Sequence, residues 1–272
     1  MRILAINDIS CIGKCSLTVT LPILSACSLT CDVLPTALLS THTGGFENYT
    51  FRDLTDDMHA TIQHWKTLGV KFDYIYSGYL GSVEQIELVL EIKRQFLAEG
   101  GKLIVDPVMG DDGKLYAGFT QDYVEKMKTL CAQADYILPN DTEACLLSGI
   151  AYPLTPATAP LALNELTKLC AKPIITGVSH ENSVSLYFKD ERNQTQSFTH
   201  GNVPGFFYGS GDVFASAFVA TVALGKTETE AVKLSADFVA DCIRRSAKEV
   251  PDKRYGLNFE KEIYPFLKKI FQ

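Results

Sequence analysis

The stretch from Pro204 to Leu224 places a glycine-rich turn, Gly209-Ser210-Gly211, and a carboxylate, Asp212, at the head of a long apolar run. Glycine adopts backbone angles closed to bulkier residues, so the amides of Gly209, Ser210 and Gly211 can converge at a helix start, where the macrodipole already favours an anion. A phosphate oxygen suits that point. Asp212 would repel such a ligand, which points to chemistry beyond binding. An ionised Asp212 can orient and deprotonate an alcohol while the amides stabilise charge on the phosphoryl group under attack. The plainer reading of the same residues is a glycine turn followed by an Asp that caps a helix.

Further carboxylates follow apolar runs. Asp106-Pro107 and Gly110-Asp111-Asp112-Gly113 group three of them in one loop, where they repel unless a cation or a basic ligand offsets their charge. That loop reads as a neighbour of magnesium and phosphates, or as a solvated acidic turn. In Asn140-Asp141-Thr142-Glu143, Asn140 can cap a helix while Glu143 either closes a capping box or faces a magnesium-bound water. His42 stands between Thr41 and Thr43, a setting for ring stacking or hydrogen bonding. The histidines at 59, 64, 180 and 200 show no ligand spacing, and there is no Walker A sequence, no Gly-x-Gly-x-x-Gly after the first apolar run and no Gly-x-Ser-x-Gly elbow.

The elements that must carry these residues alternate. Short apolar runs at Ile3 to Ile6, Asp32 to Leu39, Asp73 to Ser77, Lys102 to Asp106, Asp135 to Asn140 and Pro173 to Gly177 read as strands buried on both faces. Helical spacing is expected from Gly13 to Ala26, Arg52 to Leu68, Val83 to Glu99 with Gly100-Gly101 closing it, Glu143 to Leu147, and three times after residue 212. Residues 183–188 and 196–199 read as an antiparallel hairpin. Strand and helix in alternation predict an α/β fold with a central, mostly parallel sheet flanked by helices on both faces. Ligands bind such sheets beyond the carboxyl ends of the strands, and the expected ends carry Asp8, Thr43, Gly78, Asp106, Asn140 and Thr176.

Composition narrows the function classes. The 272 residues are 46% hydrophobic and 21% charged, ordinary for a protein with a sizeable core, and no repeat or linker interrupts them, so one domain is expected. No apolar run approaches the roughly 20 residues of a membrane span, and Arg2 and Asp8 interrupt the first residues too early for a signal peptide. The expected compartment is the cytoplasm. A formal charge of −7 argues against nucleic-acid binding, which depends on clustered Lys and Arg. Eight cysteines without a secretion signal read as free thiols; the spacing of Cys11, Cys15, Cys27 and Cys31 is a loose fit to a metal site.

Gly209-Ser-Gly-Asp212, Asp106-Pro-Val-Met-Gly110, Asn140-Asp-Thr-Glu143 and Ser77-Gly-Tyr-Leu-Gly-Ser82 occur in the order in which the ribokinase superfamily, and within it the pyridoxal kinases, carries its motifs; the chain resembles that family from its first strand to the helix after Asp212. The resemblance implies a ribokinase-like domain, ATP and magnesium as co-substrates, potassium activation, a homodimer, and phosphorylation of the 5'-hydroxymethyl group of pyridoxal, pyridoxine or pyridoxamine. Carried over by position, it makes Asp212 the base and the amides of Gly209, Ser210, Gly211 and Asp212 the anion hole. Asp106 and Glu143 would organise magnesium and phosphates beside Asn140, Thr176 and Gly177 would contact the nucleotide, and Tyr116 would cover the phosphates. Asp8, His42, Thr43 and Tyr79 would surround the pyridine ring. Two positions depart from the family pattern: Asp8 stands where Ser is frequent, and Gly45 where an aromatic residue is common. Hydroxymethylpyrimidine kinases of the same superfamily are the nearest alternative; a non-catalytic vitamer-binding protein is the alternative from another class.

Overall fold

Ile3, Leu4, Ala5 and Ile6 have no exposed surface, as a strand covered on both faces requires. The computed structural model describes residues 1–272 and contains a nine-stranded sheet, parallel through its centre and antiparallel at both ends, with helices flanking it. The chain groups into two compact units, residues 1–64 with 203–272 and residues 65–202.

The first unit opens with β1 (Arg2–Ile12), α1 (Leu17–Ala26), β2 (Thr30–Thr41), β3 (Phe51–Asp53) and α2 (Thr55–Leu68), the last of which runs on into the second unit. β1 pairs parallel with β2, and β2 antiparallel with β3. β1 outruns its apolar residues: Asn7-Asp8 does not end the strand, because the ladder to β2 continues to Ile12 and Thr41 with a register shift between Asn7 and Ile9. Asp8 therefore lies inside a strand at a bulge, not at a strand end, and bulges re-aim side chains in this way. α1 begins at Leu17 rather than Gly13, and α2 at Thr55 rather than Arg52, because residues 51–53 pair with β2 and the Asp53 carboxylate accepts the Thr55 N–H at 2.8 Å.

The second unit continues through β4 (Phe72–Ser77), α3 (Val83–Phe96), β5 (Leu97–Val105), β6 (Gly110–Asp111), β7 (Lys114–Leu115), α4 (Gln121–Cys131), β8 (Tyr136–Ile137), α5 (Asp141–Ser148), α6 (Ala159–Leu169), β9 (Lys172–His180), β10 (Ser183–Lys189) and β11 (Thr195–Gly201). Its strands lie in the order β11-β10-β9-β8-β5-β4, with β6 and β7 forming a separate ribbon. α3 stops at Phe96, and Gly100-Gly101 falls within β5 instead of capping the helix. A Cβ on Gly101 would stand 2.9 Å from the carbonyl oxygens of Asp73 and Ala98, so the backbones approach closely there. β9 likewise runs past Thr176 to His180, its pairing with β10 shifting register over that stretch. α4 and α6 are additions to the expected elements; their apolar faces, Val124, Met127 and Leu130, and Ala162, Leu163 and Leu166, are buried. The hairpin of β10 and β11 forms as expected.

The first unit resumes after the hairpin with α7 (Ser210–Ala223), α8 (Glu228–Glu249) and α9 (Glu260–Phe271). α7 is buried along nearly its whole length, as its uniformly apolar sequence demands. α8 has the amphipathic pattern and a capping box between Thr227 and Glu230. No helix is long and apolar enough to cross a membrane.

Candidate active site

α7 begins where the glycine turn places it. Gly209 caps the helix at φ 77°, and a Cβ at that position would collide with the Lys14 carbonyl oxygen. Only glycine meets both conditions. The amides of Ser210, Gly211 and Asp212 lie in the first turn and have no acceptor four residues back, which leaves them free for an anion.

Asp212 is half-buried in that turn. Burial pushes its carboxyl up from 3.8 to about 7, and the nearby Asp8 acts in the same direction; the Ser16 backbone N–H and the Asn7 side chain hydrogen-bond it and pull the other way. A carboxylate of this kind exchanges a proton near neutral pH, as a general base should. Asp8 is buried. Its two oxygens accept hydrogen bonds from the hydroxyls of Ser16, at 2.5 Å, and Ser10, at 3.1 Å, while desolvation raises its pKa.

His42 is buried at the end of β2's extension, and both ring nitrogens are engaged. Nδ1 accepts the Gly44 N–H at 3.1 Å, which assigns the proton to Nε2, and that nitrogen donates to the Arg254 carbonyl at 2.5 Å. With both nitrogens engaged, the imidazole offers a ring face rather than a spare hydrogen-bonding group. Phe46 stands edge-on to it at 5.0 Å and Tyr208 is tilted against it at 5.1 Å. Phe46, one position beyond Gly45, supplies an aromatic ring here. Thr43 is exposed. The Arg254 guanidinium lies over Phe46 at 5.1 Å and donates to the Gly45 carbonyl at 3.3 Å, tying the loop down.

In the second unit, Asp106 is buried directly after β5, its N–H donating to the Ser77 carbonyl at 2.8 Å. Asn140 and Glu143 form a complete capping box at the start of α5: the Asn140 carbonyl oxygen accepts the Glu143 N–H at 2.8 Å, and Glu143 Oε2 accepts the Asn140 N–H at 2.9 Å. Glu143 Oε1 accepts the Met109 N–H at 3.0 Å, and the Asn140 amide donates to the Gly110 carbonyl at 2.9 Å. Glu143 thus holds its own helix and the 109–110 loop together. Burial and the charge of Asp106 push its carboxyl well up. Thr176 bridges to Asn140, its N–H donating to the Pro139 carbonyl at 2.8 Å, and Gly177 follows at φ 75°. Tyr116 is exposed, anchored through its N–H to the Met109 carbonyl at 3.0 Å. Tyr79 stacks on Phe119 at 6.0 Å, and Phe119 on Tyr123 at 4.0 Å.

The second unit thus gathers Asp106, Asn140, Glu143, Thr176 and Gly177 on adjoining strand and helix ends, and the first gathers Asp8, His42, the glycine turn and Asp212. Ser10, Ser16, Phe46, Tyr208 and Arg254 belong to the latter group and were not singled out by the sequence reading. Small hydroxyl residues and a distant arginine carry no local signal of such contacts. All eight cysteines are free thiols, and Cys15, buried beside Asp8 and Asp212, is held protonated by burial and by both carboxylates.

A nine-stranded α/β sheet of this topology, with a glycine turn and a carboxylate opening a buried helix, defines a ribokinase-like protein. The model of the phosphomethylpyrimidine kinase family matches residues 25–256, and the chain belongs to that family. A Bacteroides thetaiotaomicron protein provisionally named a phosphomethylpyrimidine kinase, and crystallised with pyridoxal, is 34% identical with a TM-score of 0.92 over 97% of this chain and 95% of its own. Pyridoxal kinase from Lactobacillus plantarum is 32% identical with a TM-score of 0.91, over 98% and 96% of the two chains. A Schizosaccharomyces pombe protein provisionally named a pyridoxal kinase is 26% identical over 286 residues, covering 97% of this chain and 90% of its own.

Proposed function

We propose that the protein is an ATP-dependent kinase that phosphorylates the 5'-hydroxymethyl group of pyridoxal, pyridoxine or pyridoxamine, the whole chain acting as one catalytic domain. The observation that carries the reading is Asp212: a carboxylate poised near neutral pH in the first turn of a helix whose amides are free for an anion. The similarity to the Lactobacillus plantarum pyridoxal kinase and to the pyridoxal-bound Bacteroides thetaiotaomicron protein supports the vitamer as substrate.

In the proposed reaction Asp212 takes the proton of the substrate hydroxyl, whose oxygen attacks the γ-phosphorus as the bond to the bridging oxygen of ADP breaks. The proton remains on Asp212 until solvent removes it. The amides of Gly209, Ser210, Gly211 and Asp212 stabilise charge on the transferring group. Asp8, His42, Thr43 and Tyr79 hold the ring: His42 through its face, and Asp8 as a hydrogen-bond acceptor fixed by two serines. Asn140, Thr176, Gly177 and Tyr116 are assigned to the nucleotide.

Asp106 and Glu143 suit magnesium in one respect: burial and the Asp106 charge disfavour ionised Glu143, and a dication would relieve that repulsion. Both Glu143 oxygens already accept backbone N–H groups, which favours contact through a metal-bound water, the usual habit of magnesium beside phosphates. When bound, the ion would neutralise phosphate charge. Potassium activation, a cytoplasmic location and a homodimer are part of the same proposal. The half-exposed apolar side chains of Ile12 and Phe51, which the strand register places on one face of β1, β2 and β3, are the surface that a second copy would cover.

The test is ADP release by the purified protein with magnesium and ATP over pyridoxal, pyridoxine, pyridoxamine and hydroxymethylpyrimidine, with Asp212→Asn alongside. Turnover of the pyridines that falls about 10²- to 10⁴-fold in the variant, with ATP binding retained, is the expected result. Preference for hydroxymethylpyrimidine would overturn the substrate assignment. Ring binding without turnover on any of the four would make the protein a vitamer-binding protein.

A further inference from the structure

Ser16 occupies a backbone conformation that serine rarely adopts, φ 54° and ψ −131°, at the start of α1, and it is buried. Glycine would take these angles without strain and would still supply an N–H. What glycine lacks is the hydroxyl, and that hydroxyl makes the 2.5 Å bond to Asp8. The N–H of the same residue hydrogen-bonds Asp212. One strained residue thus donates to both Asp8 and Asp212.

The rest of Ser16 is fixed as well. Its carbonyl accepts the N–H groups of Val19 and Thr20, both at 3.0 Å, and the Thr20 hydroxyl at 3.1 Å. The Ser216 hydroxyl on α7 donates to the Thr20 hydroxyl at 3.0 Å, joining α1 to the helix that carries Asp212. Asp8 and Asp212 are like charges, and the Asp8 charge disfavours ionised Asp212; a donor to each carboxylate offsets that repulsion.

We infer that Ser16 is a positioning residue that locks the ring-binding carboxylate, Asp8, and the base, Asp212, into one arrangement, its hydroxyl serving the first and its amide the second. The inference rests on the functional reading above. Because Ser16→Gly keeps the amide and removes only the hydroxyl, its effect falls on Asp8 and hence on the ring. Its consequence is a separation of KM from kcat. The titratable groups around Asp8 are Asp212 on α7, His42 after β2 and the Cys15 thiol, and none of them is altered by the substitution.

The experiment compares Ser16→Gly and Ser16→Ala with the wild type, alone and in an Asp8→Ala background. Both variants are expected to raise the vitamer KM about tenfold, a charge-assisted hydrogen bond being lost, while kcat and the ATP KM stay within about threefold. Ser16→Gly is expected to unfold no earlier than the wild type on heating, because the backbone strain is relieved, so a failure to fold cannot mimic the result. In the Asp8→Ala background, which removes the acceptor, Ser16→Gly should change the vitamer KM by less than about twofold. An unchanged KM in Ser16→Gly, or an equal penalty with and without Asp8, overturns the inference. If the wild type turns over no vitamer, the functional reading fails, and carbon-13 titration of the aspartate carboxyls decides the coupling separately. There the Asp8 midpoint rises by about a unit or more on loss of the hydroxyl; an unmoved midpoint overturns the inference.

Discussion

Asp212 holds its proton against the pull of solvent, and this makes Asp212→Asn a stabilising substitution whose benefit depends on pH. The folded carboxyl titrates at about 7 against an ordinary 3.8. Three units of difference correspond to about 4 kcal/mol of ionisation cost borne by the fold. The sign follows from linkage: with the folded value raised, the stability associated with the protonated acid is fully present below 3.8 and is lost as pH rises to about 7, after which the loss is constant. Integrated over that window, the cost is about 1.5 kcal/mol at about pH 5 and about 4 kcal/mol at about pH 8. Asparagine has nearly the same shape, accepts the Ser16 N–H through its carbonyl oxygen and never ionises. Chemical denaturation of the nucleotide-free protein in EDTA should show the variant's advantage growing by about 2–3 kcal/mol between those two pH values. Turnover should be lost in the same variant, and the wild-type kcat/KM should fall with an acid limb near pH 7. An advantage that does not change with pH, or a variant less stable than the wild type at the higher pH, would refute the assignment of a desolvated carboxylate at this position.

Three further outcomes are expected. Gly209→Ala forces a Cβ into the Lys14 carbonyl at a positive φ, and should cost about 1–3 kcal/mol in denaturation midpoint analysis together with most of the activity. Glu143→Gln places an amide NH₂ against the N–H of either Asn140 or Met109 and leaves one buried donor unsatisfied; it should lose about 1–3 kcal/mol and raise the KM for magnesium ATP in steady-state assays. Arg254→Ala removes the cation over Phe46 and the bond to the Gly45 carbonyl but keeps the backbone acceptor of His42, so the vitamer KM should rise about 2- to 5-fold, the kinetic equivalent of about 0.5–1 kcal/mol, with kcat nearly unchanged.

The assignments at Glu143 and Asp8 show how far local sequence reaches. Asn140 and Glu143 admit two readings, a capping box or an approach to a metal-bound water, and the geometry completes the box while also spending the second Glu143 oxygen on the Met109 amide. The two roles are compatible only because a carboxylate oxygen has more than one lone pair. At Asp8 the polar pair Asn7-Asp8 reads as a strand end, yet the strand continues, since backbone pairing with β2 is indifferent to side-chain polarity once Ser10 and Ser16 satisfy the carboxylate. The same holds at Thr176-Gly177, where β9 carries on past a left-handed glycine.

By itself the sequence determined the alternation of strand and helix, the parallel α/β class, the hairpin and the helix start at the glycine turn. These follow from periodicity, from glycine's conformational freedom and from residue chemistry, all of which act within a few positions of one another. Only the tertiary structure decided which donors satisfy Asp8 and Asp212, that both His42 nitrogens are spent on Gly44 and Arg254, and that Ser16 is strained to serve two carboxylates. Apart from the contacts of Gly44 with His42 and of Ser10 with Asp8, each two positions apart, these span 8 to 212 positions of chain. Hydrogen bonding and desolvation depend on distance in space, and no local pattern of residues encodes that.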